Sequence, residues 1–89
     1  MRAVLTVVGK DQVGILAKVA NQCAQFNANI TEVTQTVLQD LFCMIMLIDI
    51  SAINCELTQL VSTMAELGER SGLSINVMHE DIFNSMHRI

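Results

Sequence analysis

Gly9-Lys10-Asp11-Gln12-Val13-Gly14-Ile15-Leu16 is the stretch around which the chain is organised. An apolar run, Ala3 to Val8, stops at Gly9, and a helical pattern begins within a few residues. The Asp11 carboxylate is placed to accept from backbone N–H groups two or three residues on, which predicts Asp11 as an N-cap. Gly14 then falls in the first helical turn, where glycine costs roughly 0.5–1 kcal/mol relative to alanine. The usual offset is close approach of another backbone or of a ligand. A helix start also presents unpaired N–H groups that suit a carboxylate or phosphate. Two readings stand at this point. The bend is the working edge of a small binding module, or both glycines serve turn geometry alone.

On the N-terminal side, Arg2 to Val8 is rich in β-branched residues and free of breakers, which predicts a first strand. It is apolar on both faces except for Thr6, as a central strand is. On the C-terminal side, Ile15, Leu16, Val19, Ala20, Cys23 and Phe26 form one helical stripe, opposite Lys18, Asn21, Gln22 and Gln25. Asn27-Ala28-Asn29 ends this helix, with Asn27 suited to a left-handed C-cap. Ile30 to Leu38 reads as an edge or half-exposed strand. Gln39-Asp40 is a two-residue turn. In Leu41 to Ile50, Phe42, Met44, Met46, Ile48 and Ile50 share one face, and Cys43, Ile45 and Leu47 share the other. A strand apolar on both faces needs a cover on each.

Asn54 is a candidate cap for a second helix, with Glu56 in its first turn and Arg70 near its end. Its buried stripe is Leu57, Leu60, Val61, Met64 and Leu67, and Gly72 is the preferred stop over Gly68. Leu73 to Met78 alternates as a fourth strand. From Asp81, the residues Ile82, Phe83, Met86 and Ile89 recur at helical spacing, which predicts a short amphipathic helix. The order β-α-β-β-α-β plus a helix predicts a ferredoxin-like α+β sandwich. Two helices cover one face of a four-stranded antiparallel sheet. The other face is left for the C-terminal helix, a second copy of the chain, or both.

The chain's 89 residues predict one domain over 1–89, with a core at 2–79 and a helical tail at 80–89. A domain this small hides a modest fraction of its surface. With 52% of residues apolar and 16% charged, a homodimer or higher homo-oligomer is the expected outlet. A stable interface buries roughly 800 Å² per partner. The net charge is −4 and the three aromatics are all Phe, against the basic footprint and stacking platforms of nucleic-acid binding. Cys23, Cys43 and Cys55 are odd in number, far apart and set in apolar patterns, so they read as reduced thiols of a cytoplasmic protein. There is no charged-then-apolar secretory segment. The longest apolar run, Leu41 to Ile48, is far short of the ~20 residues that span a bilayer.

The spacing of Gly9 and Gly14 is that of a phosphate loop, but Ile15-Leu16 stands where Lys-Ser/Thr is required, which rejects a nucleotide P-loop. No Cys-x-x-Cys or His-x-x-x-His pair is present, and His79 and His87 are separated by most of the tail helix. The adjacent His79-Glu80-Asp81 do not all face one point. Asp11, Glu32 and Asp49 fall on different elements, so no carboxylate pair is set up for acid–base catalysis. Met44, Met46, Met64 and Met78 are core filling. No catalytic residue, metal or cofactor is expected.

The element order, together with Gly9-x-Asp11-x-x-Gly14-Ile15-Leu16-Ala17-x-Val19 and Asn29-Ile30, resembles an ACT domain, the small-molecule sensing module of amino-acid metabolism. The resemblance covers Arg2 to Met78. It is closer to the short stand-alone ACT proteins whose chains end like Met86-His87-Arg88-Ile89, and the glycine cleavage system repressor has similar domains. Many ACT domains carry Pro before the second glycine; this chain has Val13, as the stand-alone group does. The resemblance implies paired copies with ligand held at the loop after strand one, at Asp11, Gln12, Val13, Gly14, Ile15 and Leu16, together with Asn29 and Ile30. Amides near Gly14 could hold a carboxylate, Asp11 or Asn29 could accept from an ammonium, and Ile15 and Ile30 could touch an aliphatic side chain. If the Asp11 carboxylate caps the helix, it competes with an anionic ligand for the same amides.

Two functions are therefore carried forward. The first is a homo-oligomeric regulatory module, not an enzyme, that binds an amino acid or similar metabolite and passes its signal to a separate protein effector. The second is an adaptor that binds a partner chain through its apolar sheet face and C-terminal helix.

Overall fold

The computed structural model describes residues 1–86. The N-terminal run extends further than its composition suggests. Strand β1 spans Arg2–Lys10 and carries straight through Gly9, which pairs with Phe42, to Lys10, which pairs with Leu41. Helix α1 (Ile15–Gln25), strands β2 (Asn29–Leu38) and β3 (Leu41–Asp49), helix α2 (Leu57–Ser71), strand β4 (Leu73–His79) and helix α3 (Glu80–Met86) follow. The strands form one antiparallel sheet in the order β2-β3-β1-β4. This is the expected ferredoxin-like sandwich.

Register sorts the side chains onto two faces. Ala3, Leu5 and Val7 of β1 lie opposite Ile48, Met46 and Met44 of β3, and Leu5 and Val7 also lie opposite Val77 and Ile75 of β4. All of these are buried. Ile15, Val19 and Cys23 of α1 and Leu60 and Met64 of α2 complete the same core. The expected stripe of α1 needs one correction. Leu16 is exposed, because the packed face of the helix is narrower than the apolar one.

Several ends are decided by backbone geometry. Asn27 adopts a left-handed φ of 59° just past the α1 C-cap, and Gly72 caps α2 at φ 70° with Arg70 in the last turn. Gln39 supplies the positive φ (59°) that closes the β2–β3 turn without glycine. Asn54 does not cap α2. Its side chain donates to the Gln25 carbonyl at 3.0 Å and its backbone N–H to the Phe26 carbonyl at 3.1 Å, so it fastens the loop to the end of α1. The N-cap position falls to Glu56, one residue outside the first turn, with no side-chain cap hydrogen bond.

Part of the second sheet face is covered by the chain's own tail. Val4 belongs to the outer face, opposite Leu47 and Met78, yet is only 1% exposed. Glu80 at the head of α3 takes a two-pronged ion pair from Arg2, its Oε2 accepting from Nε at 3.1 Å and its Oε1 from the other guanidinium nitrogen. The His79 Nδ1 accepts from the Asp81 N–H at 3.1 Å, turning the chain from β4 into α3. Of the expected docking stripe only Phe83 is half-buried, whereas Ile82 and Met86 are exposed. Ile89 and His87 lie outside the described residues. Beyond the reach of α3, Val8 and Ile45 remain open. Among the described residues, no helix is long and apolar enough to cross a membrane.

Two outcomes follow from this packing. A Cβ added at Gly68 would sit 2.6 Å from the Leu73 carbonyl oxygen, where helix α2 presses on β4. Gly68→Ala should therefore destabilise the fold by about 1–3 kcal/mol in urea unfolding; an unchanged midpoint would show that α2 can back away. Burial pushes the Cys23 thiol up to about 11, whereas Cys43 and Cys55 are half-buried. Iodoacetamide at pH 8 should label Cys43 and Cys55 in the native protein and Cys23 only after denaturation, read by mass spectrometry.

Candidate functional site

The bend between β1 and α1 is built by contacts to two distant segments and to helix α1 itself. The Asp11 N–H donates to the Asp40 carbonyl at 2.8 Å, which ties the bend to the β2–β3 turn. The Gln12 side chain reaches across to the end of α2, where its Nε2 donates to the Ser71 carbonyl at 2.8 Å. Its Oε1 accepts from Lys18 Nζ at 3.5 Å. Val13 projects into solvent, 98% exposed.

Gly14, not Asp11, is the N-cap of α1, and it stands at φ 85°, ψ 13°. The glycine is therefore not offset by a close neighbour, since a Cβ there would meet nothing within 4 Å. It is used for its left-handed backbone, which other residues adopt only at a cost. The Gly14 carbonyl accepts the first helical bond from the Lys18 N–H at 3.0 Å. No side chain caps the helix, and no acidic residue lies in its first turn. The amides at the start of α1 are thus left without a side-chain acceptor, at the positive end of the helix dipole. The expected competition from the Asp11 carboxylate is absent, because the helix begins too late for Asp11 to reach its N–H groups as a cap.

The other sequence-predicted residues divide. Ile15 belongs to the core and Leu16 is exposed beside it. Asn29 opens β2 and lines a shallow hollow of about 280 Å³ with Ala24, Asn27 and Ala28. Ile30 is half-buried against the core, opposite Ile48. Asn29 shares its sheet level with Arg2, through Asp49, whereas Asp11 follows Lys10 at the far end of β1. At ~3.3 Å per residue the levels of Arg2 and Lys10 are about 26 Å apart, so Asp11 and Asn29 stand at opposite ends of the sheet. One chain thus brings Asp11 to Leu16 together and holds Asn29 and Ile30 at the opposite end. Lys18 was not singled out by sequence, although helical spacing from Gly14 sets it one turn inside α1. Nothing in the sequence signals the Gln12 contact to Ser71.

The electrostatics elsewhere are simple. The Ser51 N–H donates to the Asp49 carboxylate at 2.9 Å and holds its carboxyl below the usual range. Among the described residues, no group of three His, Cys, Asp or Glu is arranged to hold a metal ion.

With this geometry in hand, the chain can be set beside known proteins. It is 50% identical over 86 residues, 97% of this chain and 96% of the other, to a UPF0237 protein of Methanococcus maripaludis. The solved structure of an ACT domain protein from Streptococcus pneumoniae superposes with a TM-score of 0.82 at 35% identity, covering 93% of each chain. The structure of a candidate glycine cleavage system transcriptional repressor superposes at 0.76 with 28% identity, over 86% of this chain and 44% of that one. The sequence pattern of the ACT domain matches residues 2–78, which run from the first residue of β1 almost to the end of β4. A βαββαβ sheet whose first strand ends in a glycine bend, matched over nearly its whole length, leaves one assignment: the chain belongs to the ACT-domain family, in general small-molecule regulatory modules.

Proposed function

We propose that the protein is a homo-oligomeric regulatory module that binds a small carboxylate metabolite, best an amino acid, at the bend from Asp11 to Leu16. The reading is carried by one observation. The first turn of α1 is opened by a left-handed glycine and has no side-chain cap and no acidic residue of its own. Its amides suit a carboxylate. The exposed Asp11 side chain, which is not a cap, suits an ammonium group on the same ligand.

A second copy completes the site in this reading. Strand β2 is an unpaired edge, exposed along most of its length. Val33 and Val37 lie on its helix-covered side, opposite Met46 and Phe42, yet remain 39% and 48% exposed. Two copies joined along this edge about a two-fold axis would cover those valines. The axis would bring Asn29 and Ile30 of one copy toward the Asp11–Leu16 bend of the other, spanning the distance that separates them in one chain. The free thiols support a reducing, cytoplasmic setting. Output then passes to a separate protein effector that reads the liganded pair.

Thermal unfolding against a panel of amino acids tests this. A ligand at about 100 times its Kd adds about 2.7 kcal/mol, a Tm rise on the order of 10 °C for a domain of this size. Gly14→Asn keeps a residue that tolerates the left-handed backbone and sets a side chain beside the amides. It should cut the ligand-induced shift by more than it cuts the unliganded Tm. A panel without any shift at millimolar concentration, or a variant that loses both equally, counts against the reading.

A further inference from the structure

Helix α3 leaves a cleft beside it on the outer face of the sheet, remote from the β1–α1 bend. The cleft has a volume of about 310 Å³, near the lower bound of small-molecule sites. Its floor is Val4, Ile45 and Leu47, with Phe83 of α3 as an apolar wall. Val4 is almost fully covered, so the floor is dry at its inner end. Across the rim stand Glu32 and Thr34 of β2 on one side and Asn84 of α3 on the other. Glu32 and Thr34 share the outer face with Leu47 and Ile45, their partners in β3.

The charges in the cleft are not balanced. Glu80 also lines it, but its carboxylate is engaged by Arg2. Glu32 has no hydrogen bond or ion pair among the described residues, and no Lys or Arg is among the lining residues. The Arg2 guanidinium pKa is held up by its hydrogen bond and charge pairing with Glu80, and only to a smaller extent by the field of Glu32. A carboxylate or phosphate ligand would find no cation here. A bare metal ion would make no use of the apolar floor.

We propose that this cleft binds a small aliphatic primary amine, its ammonium head among Glu32, Thr34 and Asn84 and its carbon chain over Val4, Ile45 and Leu47. The head has three N–H donors, and the rim has three acceptor groups: a carboxylate, a hydroxyl and an amide carbonyl. The chain then lies against Ile45 and Leu47, which water otherwise reaches. An amine seated here touches both α3 and the sheet, so it fastens the tail helix onto the face it covers. The site is separate from the bend near Gly14 and does not depend on the reading given for it. Glu32 lies on the outer face, whereas Ile30 faces the helices.

Isothermal calorimetry on the full chain, at fixed ionic strength, tests the assignment with pentylamine, 1,4-diaminobutane, lysine and sodium chloride as probes. Pentylamine and the diamine should bind at millimolar concentration or below. Lysine, whose carboxylate finds no partner in the cleft, should bind there more weakly than pentylamine. Glu32→Gln should weaken amine binding about tenfold or more, the loss of a charge-assisted hydrogen bond. Ile45→Trp should fill the floor and abolish binding. Both positions are exposed, so circular dichroism and the unliganded Tm should stay unchanged in these variants. Gly14→Asn should bind amine normally, which separates this site from the amino-acid reading. The proposal is overturned if amines give no more heat than sodium chloride. It is equally overturned if Glu32→Gln binds them as well as the parent, since the attraction would then belong to the net charge alone.

Discussion

Strand β1 is hydrogen-bonded along both edges, to β3 on one side and β4 on the other. Its side chains therefore have only the two faces of the sheet to occupy, and both must be dry for an apolar strand to be stable there. Ala3, Leu5 and Val7 point to the helices and are fully buried. Val4 points the other way and is buried as well, which requires a cover on the second face. Helix α3 supplies that cover over part of the face and is held by the Arg2–Glu80 ion pair. The ion pair is exposed on the Arg2 side, so the charges by themselves hold α3 only weakly. The incomplete reach of α3 is what leaves a cleft beside it, floored by Ile45 and Leu47.

The opposite end of β1 is governed by a different constraint. The chain must turn from the sheet into α1 within four residues, and Gly14 does so with a left-handed backbone. That choice delays the helix, strands Val13 in solvent and leaves the first amides uncapped. The same four residues are held by Asp40 and Ser71, from the hairpin and from the end of α2. The bend is consequently tied at two points although it is exposed. The bend and the cleft beside α3 lie on separate parts of this small sandwich, the first with uncapped helix amides and the second with a lone carboxylate, Glu32, over an apolar floor.

Much of the candidate site was legible because it is contiguous. Asp11 to Leu16 is a single stretch whose glycines announce a bend, and no folding is needed to bring its members together. Asn29 and Ile30 were legible only through family resemblance, and one chain keeps them at the opposite end of the sheet from Asp11. The cleft was not legible at all. Glu32, Ile45 and Phe83 come from three elements, and only the β2–β3 register and the course of α3 set them side by side.

Periodicity determined the seven elements, their order and the two faces of β3, because a strand or helix repeats its apolar positions at intervals that no distant contact can alter. Residue type also determined the stops at Asn27 and Gly72, whose backbones tolerate the left-handed turn. The tertiary structure alone decided where α1 begins, what Asn54 binds and which sheet α3 covers. Each of those depends on a donor finding an acceptor, or an apolar side chain finding a face, in a segment remote along the chain. The Asp11 N–H finds Asp40, Asn54 finds Gln25, and Arg2 finds Glu80. A local pattern says which groups need partners, and only the assembled sheet says which partners are within reach.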